Sequence, residues 1–225
     1  MPLPPVTVLQ KVPLFAGLPE GEVLGFAELM RERSYPKGSV ILFEDDPGDA
    51  LYVVTSGQVK VVLIGEDGRE VILSVLSEGS FFGEMALLDD EPRSAHVIAM
   101  TDSVVLALRR DDFRNRLRAS PEVGIALLRE LSRRLRRADE QIGSLVLLDV
   151  NGRVAELMLR LADEEGSERI TRKLTHATIA QMIGSSRETV SRTMRELQDR
   201  GLLKVTRQDI TVTDRPGLQA LARRA

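Results

Sequence analysis

The sequence predicts an α+β protein made of three consecutive blocks: a β-rich N-terminal domain, one long helix, and a compact helical domain that ends in a β-hairpin. Three observations predict this order. Short β-branched runs separated by turn residues fill positions 38–109, which is typical of a barrel or jelly roll. A heptad spacing of apolar residues follows, and amphipathic helical patterns fill the rest. We therefore expect domains at residues 1–119, 120–148 and 149–225.

Composition limits the class of protein. The chain has 225 residues, is 43% hydrophobic and contains no cysteine, which excludes iron–sulfur clusters, thiolate zinc sites and thiol redox sensors. The two histidines, His96 and His176, are too far apart in the chain for a typical histidine-built metal centre, so we expect no metal. No apolar run is long enough to span a membrane, and residues 1–5 lack the pattern of a signal peptide. We expect a cytoplasmic protein without a membrane partner.

Charge is distributed unevenly along the chain. Residues 151–225 carry 14 basic and 10 acidic side chains, whereas residues 1–150 carry 17 basic and 24 acidic ones. Only the C-terminal part therefore suits a polyanion as partner.

The N-terminal block has two predicted parts. Leu14 to Arg33 is interpreted as a short helical lead-in. From Gly38 to Arg109, strand-like runs alternate with Asp-Pro-Gly, Ser-Gly and Asp-Gly breaks, which predicts the β jelly-roll itself.

A single long helix is predicted next. Residues 120–122 are Ser-Pro-Glu, with a hydroxyl for the cap, a proline for the first helical position and an acid in the first turn. Apolar residues then recur at steps of three and four, which predicts a dimer seam between two copies of this helix, with the small Ala138 leaving room opposite its own copy. The alternative is a helix packed on its own barrel. The seam consists of Leu128, Leu131, Leu135, Ala138, Ile142 and Leu145.

The C-terminal block begins at an interruption of the long helix. Residues 149–153 are predicted to form a hinge, with Asp149 or Asn151 capping the next helix. Further on, Thr175 is expected to cap a short helix that ends at Gly184.

Ser185 or Ser186 is then expected to cap a second helix that Gly201 ends, and a hairpin is predicted around residues 207–209. Two helices joined by a glycine turn and followed by a hairpin indicate a winged helix-turn-helix.

The second helix of this pair has two distinct faces. At about 100° per residue, Val190, Met194 and Leu197 lie together on the face that anchors the helix. The opposite face offers side chains suited to base edges in a major groove, where arginine pairs with guanine and glutamate with the cytosine amine. A solvated basic face, or a capping box of Ser185 with Glu188, are the alternatives. The outward residues are Arg187, Glu188, Ser191, Arg192 and Arg195.

The sequence resembles the catabolite activator (cyclic AMP receptor protein) family of bacterial transcription factors over nearly its whole length. The resemblance is carried by "GSSRETVSR" in the second helix and by "LLDVNGRVAELML" at the hinge. It implies a homodimer that binds double-stranded DNA at an inverted repeat with TGTGA-like half-sites, with RNA polymerase as a further partner. Arg187, Glu188 and Arg192 would contact bases, and Thr175 and Ser186 would contact phosphates.

The segment "FFGEMALLDDEPRSAHV", residues 81–97, indicates a ligand site. Arg93 and Ser94 suit a phosphate, while Glu84 suits a neighbouring hydroxyl such as that of a ribose, which together describe a nucleotide. A surface ion pair between Arg93 and Glu84 is the alternative. By its resemblance to the phosphate-binding cassette of cyclic-nucleotide-binding domains, Gly83 and Met85 would add backbone contacts, Glu84 would bind the ribose 2′-hydroxyl, and Arg93 and Ser94 would hold the cyclic phosphate.

The base of the nucleotide is left open by one departure from the family. Relatives that bind cyclic AMP often present a Thr-Ser pair on the dimer helix, where this chain has Ala138 and Asp139. The Asp139 carboxylate can accept from the adenine amine or from the adjacent donors of guanine. The candidates are cyclic AMP first, cyclic GMP second, and no nucleotide third, with the ligand between the barrel and the dimer helix near Asp139.

The function predicted from these features is that of a homodimeric, effector-controlled DNA-binding regulator. A regulator of the same shape without a ligand is the alternative. No catalytic constellation is present in the sequence, and a cupin-type enzyme would need a histidine cluster where the barrel offers only His96. We therefore expect no enzymatic activity.

Overall fold

The structure is a computed structural model that describes residues 6–223. Residues 1–5, on which the expectation about the signal peptide rests, and residues 224–225 lie outside the described part. Two compact units, divided between residues 135 and 136, make up the chain. None of the helices within residues 6–223 is long and apolar enough to cross a membrane.

The first unit is built on two four-stranded antiparallel sheets, with strand orders β1-β8-β3-β6 and β2-β7-β4-β5. Side chains from the inner faces of both sheets, including Tyr52, Val59 and Val97, form one buried cluster. This confirms the predicted β jelly-roll domain. The strands are β1 (Arg31–Tyr35), β2 (Val40–Leu42), β3 (Ala50–Ser56), β4 (Gln58–Ile64), β5 (Glu70–Ser77), β6 (Phe81–Phe82), β7 (His96–Ala99) and β8 (Ser103–Arg109).

Helices cover one side of this domain with a second buried cluster that includes Phe15, Phe26 and Phe113. The predicted lead-in helix ends earlier than expected, because Arg31–Tyr35 is strand β1 and pairs with β8 over five residues. Its partner lies about 70 positions away in the sequence, so local patterning could not show the pairing. The helices are α1 (Val6–Leu9), α2 (Glu20–Leu29), α3 (Met85–Leu88), α4 (Arg110–Ala119) and α5 (Pro121–Leu147).

Helix α5 is the predicted long helix, and it begins at Pro121 as expected. Its hydroxyl cap differs from the prediction, because Ser120 Oγ lies 2.8 Å from a Glu22 carboxylate oxygen and 3.2 Å from one of Glu122. On the helix itself Leu127 is buried and Leu131 packs partly against the core of the first unit. Leu131 therefore packs at least in part on its own domain, and its place in the dimer seam stays a prediction. The five other seam residues are exposed: Leu128 (65%), Leu135 (64%), Ala138, Ile142 (60%) and Leu145 (52%).

The second unit contains the end of helix α5 and all the elements that follow it. Asp149 caps helix α6, since its Oδ1 accepts a 2.8 Å hydrogen bond from the Gly152 backbone N–H, which decides between the two predicted caps. A three-stranded sheet in the order β10-β11-β9 packs with the helices around one apolar core. The elements are α6 (Val150–Glu165), β9 (Arg169–Ile170), α7 (His176–Ile183), α8 (Arg187–Asp199), β10 (Leu203–Val205), β11 (Ile210–Val212) and α9 (Arg215–Leu221).

Candidate ligand site and nucleic-acid interface

The segment of residues 83–94, which we name the cassette, leaves strand β6 at Gly83, forms helix α3 and returns to strand β7. Gly83 has φ +83°, a conformation that favours glycine. A Cβ at this position would lie 2.7 Å from Arg93 Nη1 and 3.1 Å from the Ala50 carbonyl oxygen. Glycine is therefore required both by the turn and by the close approach of the Arg93 guanidinium.

Arg93 is buried, with 3% of its surface exposed. Its Nη1 donates to the Gly83 carbonyl at 2.7 Å, and its Nη2 donates to the Ala50 carbonyl at 2.9 Å and to Asp49 Oδ1 at 3.0 Å. The two Nη atoms of the guanidinium thus join the cassette to the start of strand β3. The alternative from the sequence pairs Arg93 with Glu84, whereas the acid that pairs with Arg93 in the structure is Asp49.

Glu84 is also buried, with 2% of its surface exposed. Its Oε1 accepts a 2.9 Å hydrogen bond from Arg134 Nη1 on helix α5, while Arg134 Nη2 donates to the Phe81 carbonyl at 2.6 Å. Glu84 Oε2 has no hydrogen-bond partner within residues 6–223. The alternative of a surface ion pair between Arg93 and Glu84 is wrong, because both side chains are buried and each has another partner.

Ser94 and Met85 are exposed beside these charges, with Ser94 Oγ 3.9 Å from Met85 Sδ. Asp139 is exposed on helix α5, and its assignment to the base stays a prediction. No group of three or more potential metal-ligating side chains occurs in the described part of the chain.

Two residues of the cassette's surroundings were missed by sequence reasoning, Arg134 and Asp49. A signal for Arg134 does exist, because Leu127, Leu131 and Arg134 are spaced at four and three residues and so share one helix face. Leu127 is buried and Leu131 half-buried on that face, whereas Arg133 and Leu135 are exposed. Arg134 is therefore the arginine that faces the core of the first unit. Asp49 lies 44 positions from Arg93, in a loop with several acids, and no local pattern distinguishes it.

The cassette thus offers a buried guanidinium, a hydroxyl and a buried carboxylate oxygen that lacks a donor. A buried polar atom without a partner is costly, on the order of 1–3 kcal/mol and more when charged. An anionic ligand that carries a hydroxyl next to its charge would satisfy both the guanidinium and the carboxylate.

The helix-turn-helix pair lies in the second unit. Thr175 caps α7 by accepting from the Thr178 N–H at 3.0 Å, and α7 ends at Gly184 with φ 63°. Ser186 caps α8 by accepting from the Thr189 N–H at 3.1 Å. Glu188 is therefore the second residue of α8, and the alternative of a capping box with Ser185 is wrong.

Helix α8 has the two faces that its sequence predicts. Val190, Met194 and Leu197 are buried, together with Thr193. The pKa of Glu188 is lowered by a hydrogen bond from its own backbone N–H and by one from the Ser186 hydroxyl, which keeps it a carboxylate acceptor. The exposed residues of the outer face are Arg187, Glu188, Arg192 and Arg195.

The hairpin of β10 and β11 confirms the predicted wing. Thr206 Oγ1 donates to Asp209 Oδ1 at 2.8 Å across its turn, and Arg169 of β9 lies 2.5 Å from Asp209 Oδ2. Arg207 and Gln208 are exposed at the tip. The turn is therefore held by its own side chains, with a cation at its end.

Both parts of the chain are similar to known proteins. Residues 32–120 match the family model described as the cyclic nucleotide-binding domain, and residues 152–221 match the Crp-like helix-turn-helix domain. A CRP-like cAMP-activated global transcriptional regulator of Mycobacterium tuberculosis is 33% identical over 97% of this chain and 98% of its own length. A cyclic AMP receptor protein of Thermus thermophilus is 36% identical over 93% and 96%, respectively. The solved structure of FixK2 from Bradyrhizobium japonicum matches with a TM-score of 0.77 at 25% identity, covering 87% of this chain and 98% of that one.

Proposed function

This chain belongs to the catabolite activator, or cyclic AMP receptor protein (CRP/FNR), family of bacterial transcription regulators, and on that premise we propose that it is a homodimeric regulator that binds a specific DNA sequence under the control of a cyclic nucleotide. Cyclic AMP is the first candidate effector. The regulator would act in the cytoplasm, where bacterial DNA and RNA polymerase are found, and RNA polymerase would be a further partner.

The observation that carries the effector is the buried Glu84 Oε2 without a hydrogen-bond partner within residues 6–223, in the same cassette as the buried Arg93. A cyclic nucleotide has a ribose 2′-hydroxyl next to a singly charged cyclic phosphate. Glu84 would accept from that hydroxyl, while Arg93 and Ser94 would donate to the phosphate. Gly83 and Met85 would bring their backbone close to the ligand.

Each side chain of the site has a defined task in this scheme. Asp49 and the carbonyls of Gly83 and Ala50 hold the Arg93 guanidinium through both Nη atoms, and the phosphate would accept from Nε and from the second hydrogen of Nη1. Arg134 Nη1 donates to Glu84 Oε1 at 2.9 Å and holds the carboxyl group in place. The ligand supplies the missing donor and a negative charge.

Asp139 would select the base. Its carboxylate can accept from adenine N6, or from the N1–H and N2 amine of guanine. Cyclic AMP precedes cyclic GMP because two of the similar proteins, from Mycobacterium tuberculosis and Thermus thermophilus, carry cyclic AMP in their names.

On DNA, Arg187, Glu188 and Arg192 would contact base edges in the major groove. Thr175 and Ser186 would contact phosphates, and the Ser186 hydroxyl would turn its single O–H from Glu188 to a phosphate oxygen while it accepts its capping hydrogen bond. Arg195, one turn further along α8, would add a backbone contact. Two copies would meet an inverted repeat with TGTGA-like half-sites.

Effector control would be a population shift. A ligand that binds one arrangement of the α5 pair more tightly favours that arrangement, in which the hinge at Asp149 holds both α8 helices about one DNA turn apart.

The test is operator binding by fluorescence anisotropy, with an inverted repeat of TGTGA half-sites and a scrambled duplex of equal length. We expect cyclic AMP to raise affinity for the inverted repeat by about 5- to 150-fold, a usual range of coupling between two sites, and to leave the scrambled duplex unaffected. Cyclic GMP, assayed in parallel, tests the second candidate.

A matched pair of variants completes this test. Arg93→Leu should abolish the effect of cyclic AMP, whereas Arg69→Leu, at an arginine with 87% of its side chain exposed, should retain it. Equal operator affinity with and without either nucleotide would instead favour the ligand-independent regulator.

A further inference from the structure

The C-terminal end of helix α3 is held by two arginines of helix α4. Arg110 Nη2 donates to the Ala86 carbonyl at 3.0 Å, and Arg114 Nε donates to the Leu87 carbonyl at 2.9 Å. The last carbonyls of a helix lack partners within the helix itself, and arginine side chains can satisfy them. Because α3 has only four residues, it is too short to be stable by its own hydrogen bonds.

Asp90 connects these two arginines. Its Oδ1 accepts from Arg114 Nη2 at 2.7 Å and also pairs with Arg110 Nη1. The hydrogen bond from Arg114, followed by that from Arg110, lowers the pKa of the Asp90 carboxyl, so the carboxylate stays charged at neutral pH.

The backbone of Asp90 is unusual as well, with φ +63°. Few residues other than glycine adopt this region, and such outliers persist where surrounding contacts hold them. At Asp90 the two guanidiniums supply those contacts.

Arg110 also reaches the loop on the other side of the cassette. Its Nε donates to the Gly48 carbonyl at 2.9 Å and its Nη2 to the same oxygen at 2.6 Å. Gly48 packs directly on Ala86, since a Cβ at Gly48 would lie 2.5 Å from Ala86 Cβ. The next two residues, Asp49 and Ala50, are the ones that hold Arg93. Arg110 therefore fixes both walls between which the Arg93 guanidinium lies.

We propose that Asp90, Arg110 and Arg114, the cassette clamp, are positioning residues that hold helix α3 and the loop at Gly48 in the geometry that binds the effector. The clamp contacts neither Glu84 nor Arg93 and acts through the backbone that carries them. Its role in binding rests on the proposed effector function.

The first test compares Asp90→Asn with Asp89→Asn. Asparagine tolerates positive φ, so the first variant removes the charge while it keeps the size and the backbone conformation. Asp89 is a matched control, because the carboxylate of this adjacent acid accepts from the Glu91 backbone N–H and from no arginine in the described part of the chain. We expect Asp90→Asn to weaken cyclic AMP binding, measured by calorimetry, by about 3- to 10-fold, as suits partly exposed ion pairs, and Asp89→Asn to bind as the unchanged protein does.

A second pair of variants tests the arginine side. Arg114→Gln should weaken cyclic AMP binding as Asp90→Asn does, and the double variant should lose less than the sum of the two single changes, because the bond between Arg114 and Asp90 is common to both. Arg118→Gln, at an exposed arginine of the same helix, is the control. Independent effects of the two changes, or an equal effect of Arg118→Gln, would overturn the clamp.

Two further measurements separate a positioning role from general destabilisation. Operator affinity without nucleotide and the thermal midpoint Tm should be nearly the same in Asp90→Asn and Asp89→Asn. Hydrogen exchange of the amides of residues 85–91 should be several-fold faster in Asp90→Asn only.

The exchange measurement needs no ligand, so it distinguishes two failures. If the unchanged protein binds neither cyclic nucleotide, the proposed effector is wrong, and faster exchange in Asp90→Asn still supports a clamp that orders α3. If exchange and cyclic AMP affinity are both the same in Asp90→Asn and Asp89→Asn, the clamp is wrong.

Discussion

Glu84 and Arg93 show why a ligand site of this kind needs partners that hold its charges before the ligand arrives. A buried charge is strongly unfavourable unless it is paired and hydrogen-bonded. Arg93 is balanced by Asp49 and two carbonyls, and Glu84 by Arg134. Within residues 6–223, Glu84 Oε2 is left without a hydrogen-bond donor. A ligand at this site therefore needs a donor group that reaches this oxygen.

The ribose contact can be tested with 2′-deoxy cyclic AMP, which lacks the hydroxyl. We expect the unchanged protein to bind cyclic AMP about 10-fold or more tightly than the deoxy compound, because a hydrogen bond to a charged group contributes about 1.5–3 kcal/mol. In Glu84→Ala, the two compounds should bind with nearly equal affinity, as measured by calorimetry.

Glu66→Ala, at an exposed acid in the turn between β4 and β5, is the control and should keep the preference for cyclic AMP. A preference that survives in Glu84→Ala would place the hydroxyl elsewhere.

At this scale the sequence predicted the residues that lie close together in the chain. Gly83, Glu84 and Arg93 lie within one stretch of eleven residues. Their residue types indicate a ligand with an anionic group for Arg93 and a hydroxyl group for Glu84. Arg134 lies 50 positions from Glu84, and the contact depends on how α5 packs on the first unit. Long-range pairs of this kind depend on tertiary packing, which local spacing does not encode.

At the scale of elements, long periodic segments were predictable and short ones were not. The heptad spacing predicted α5, and the two faces of α8 follow from its apolar spacing. Helix α3 and strand β9 have four and two residues, too few for any period to show. Strand β9 forms because it pairs with β11, some 40 residues later, so its stability comes from a distant partner.

The assignment of the outer face of α8 to DNA can be tested by comparing two arginines, one within the helix and one at its C-terminal cap. Arg192 is exposed in the middle of α8, whereas Arg200 lies at its C-terminal cap and pairs with Glu196 at 3.6 Å. Arg192→Ala should lower affinity for the TGTGA repeat by about 1–3 kcal/mol per lost base contact and relax the preference at one base pair. Binding to a panel of singly substituted operators measures both effects.

Arg200→Ala should leave the order of preference among those operators unchanged. Any loss of affinity should be equal for all of them and should become smaller as the salt concentration rises, because it would come from a sequence-independent charge contact. An Arg192→Ala variant that keeps the full base preference would contradict the assignment of this face to DNA.

At the scale of the whole molecule, the acidic first part and the more basic second part of the sequence predicted two domains, of which only the second suits DNA. The structure has two compact units, and a different family model matches each part of the chain. What the single chain leaves exposed is the stripe of Leu128, Leu135, Ile142 and Leu145 along α5. Large apolar side chains in a regular stripe on the surface are typical of an interface. A second copy of the same helix would bury it, which is the basis for the proposed homodimer.

The dimer is tested by Leu135→Asp, which places a charge in the middle of this stripe. Since burying an unpaired carboxylate in a helix interface is strongly unfavourable, we expect a monomer in analytical ultracentrifugation at concentrations where the unchanged protein is a dimer. Affinity for the inverted repeat should then fall towards that for a single half-site. Arg137→Asp is the control, because Arg137 is exposed about 200° around the helix from Leu135, and this variant should remain dimeric. A dimeric Leu135→Asp that still binds the inverted repeat would show that the two copies meet through another surface.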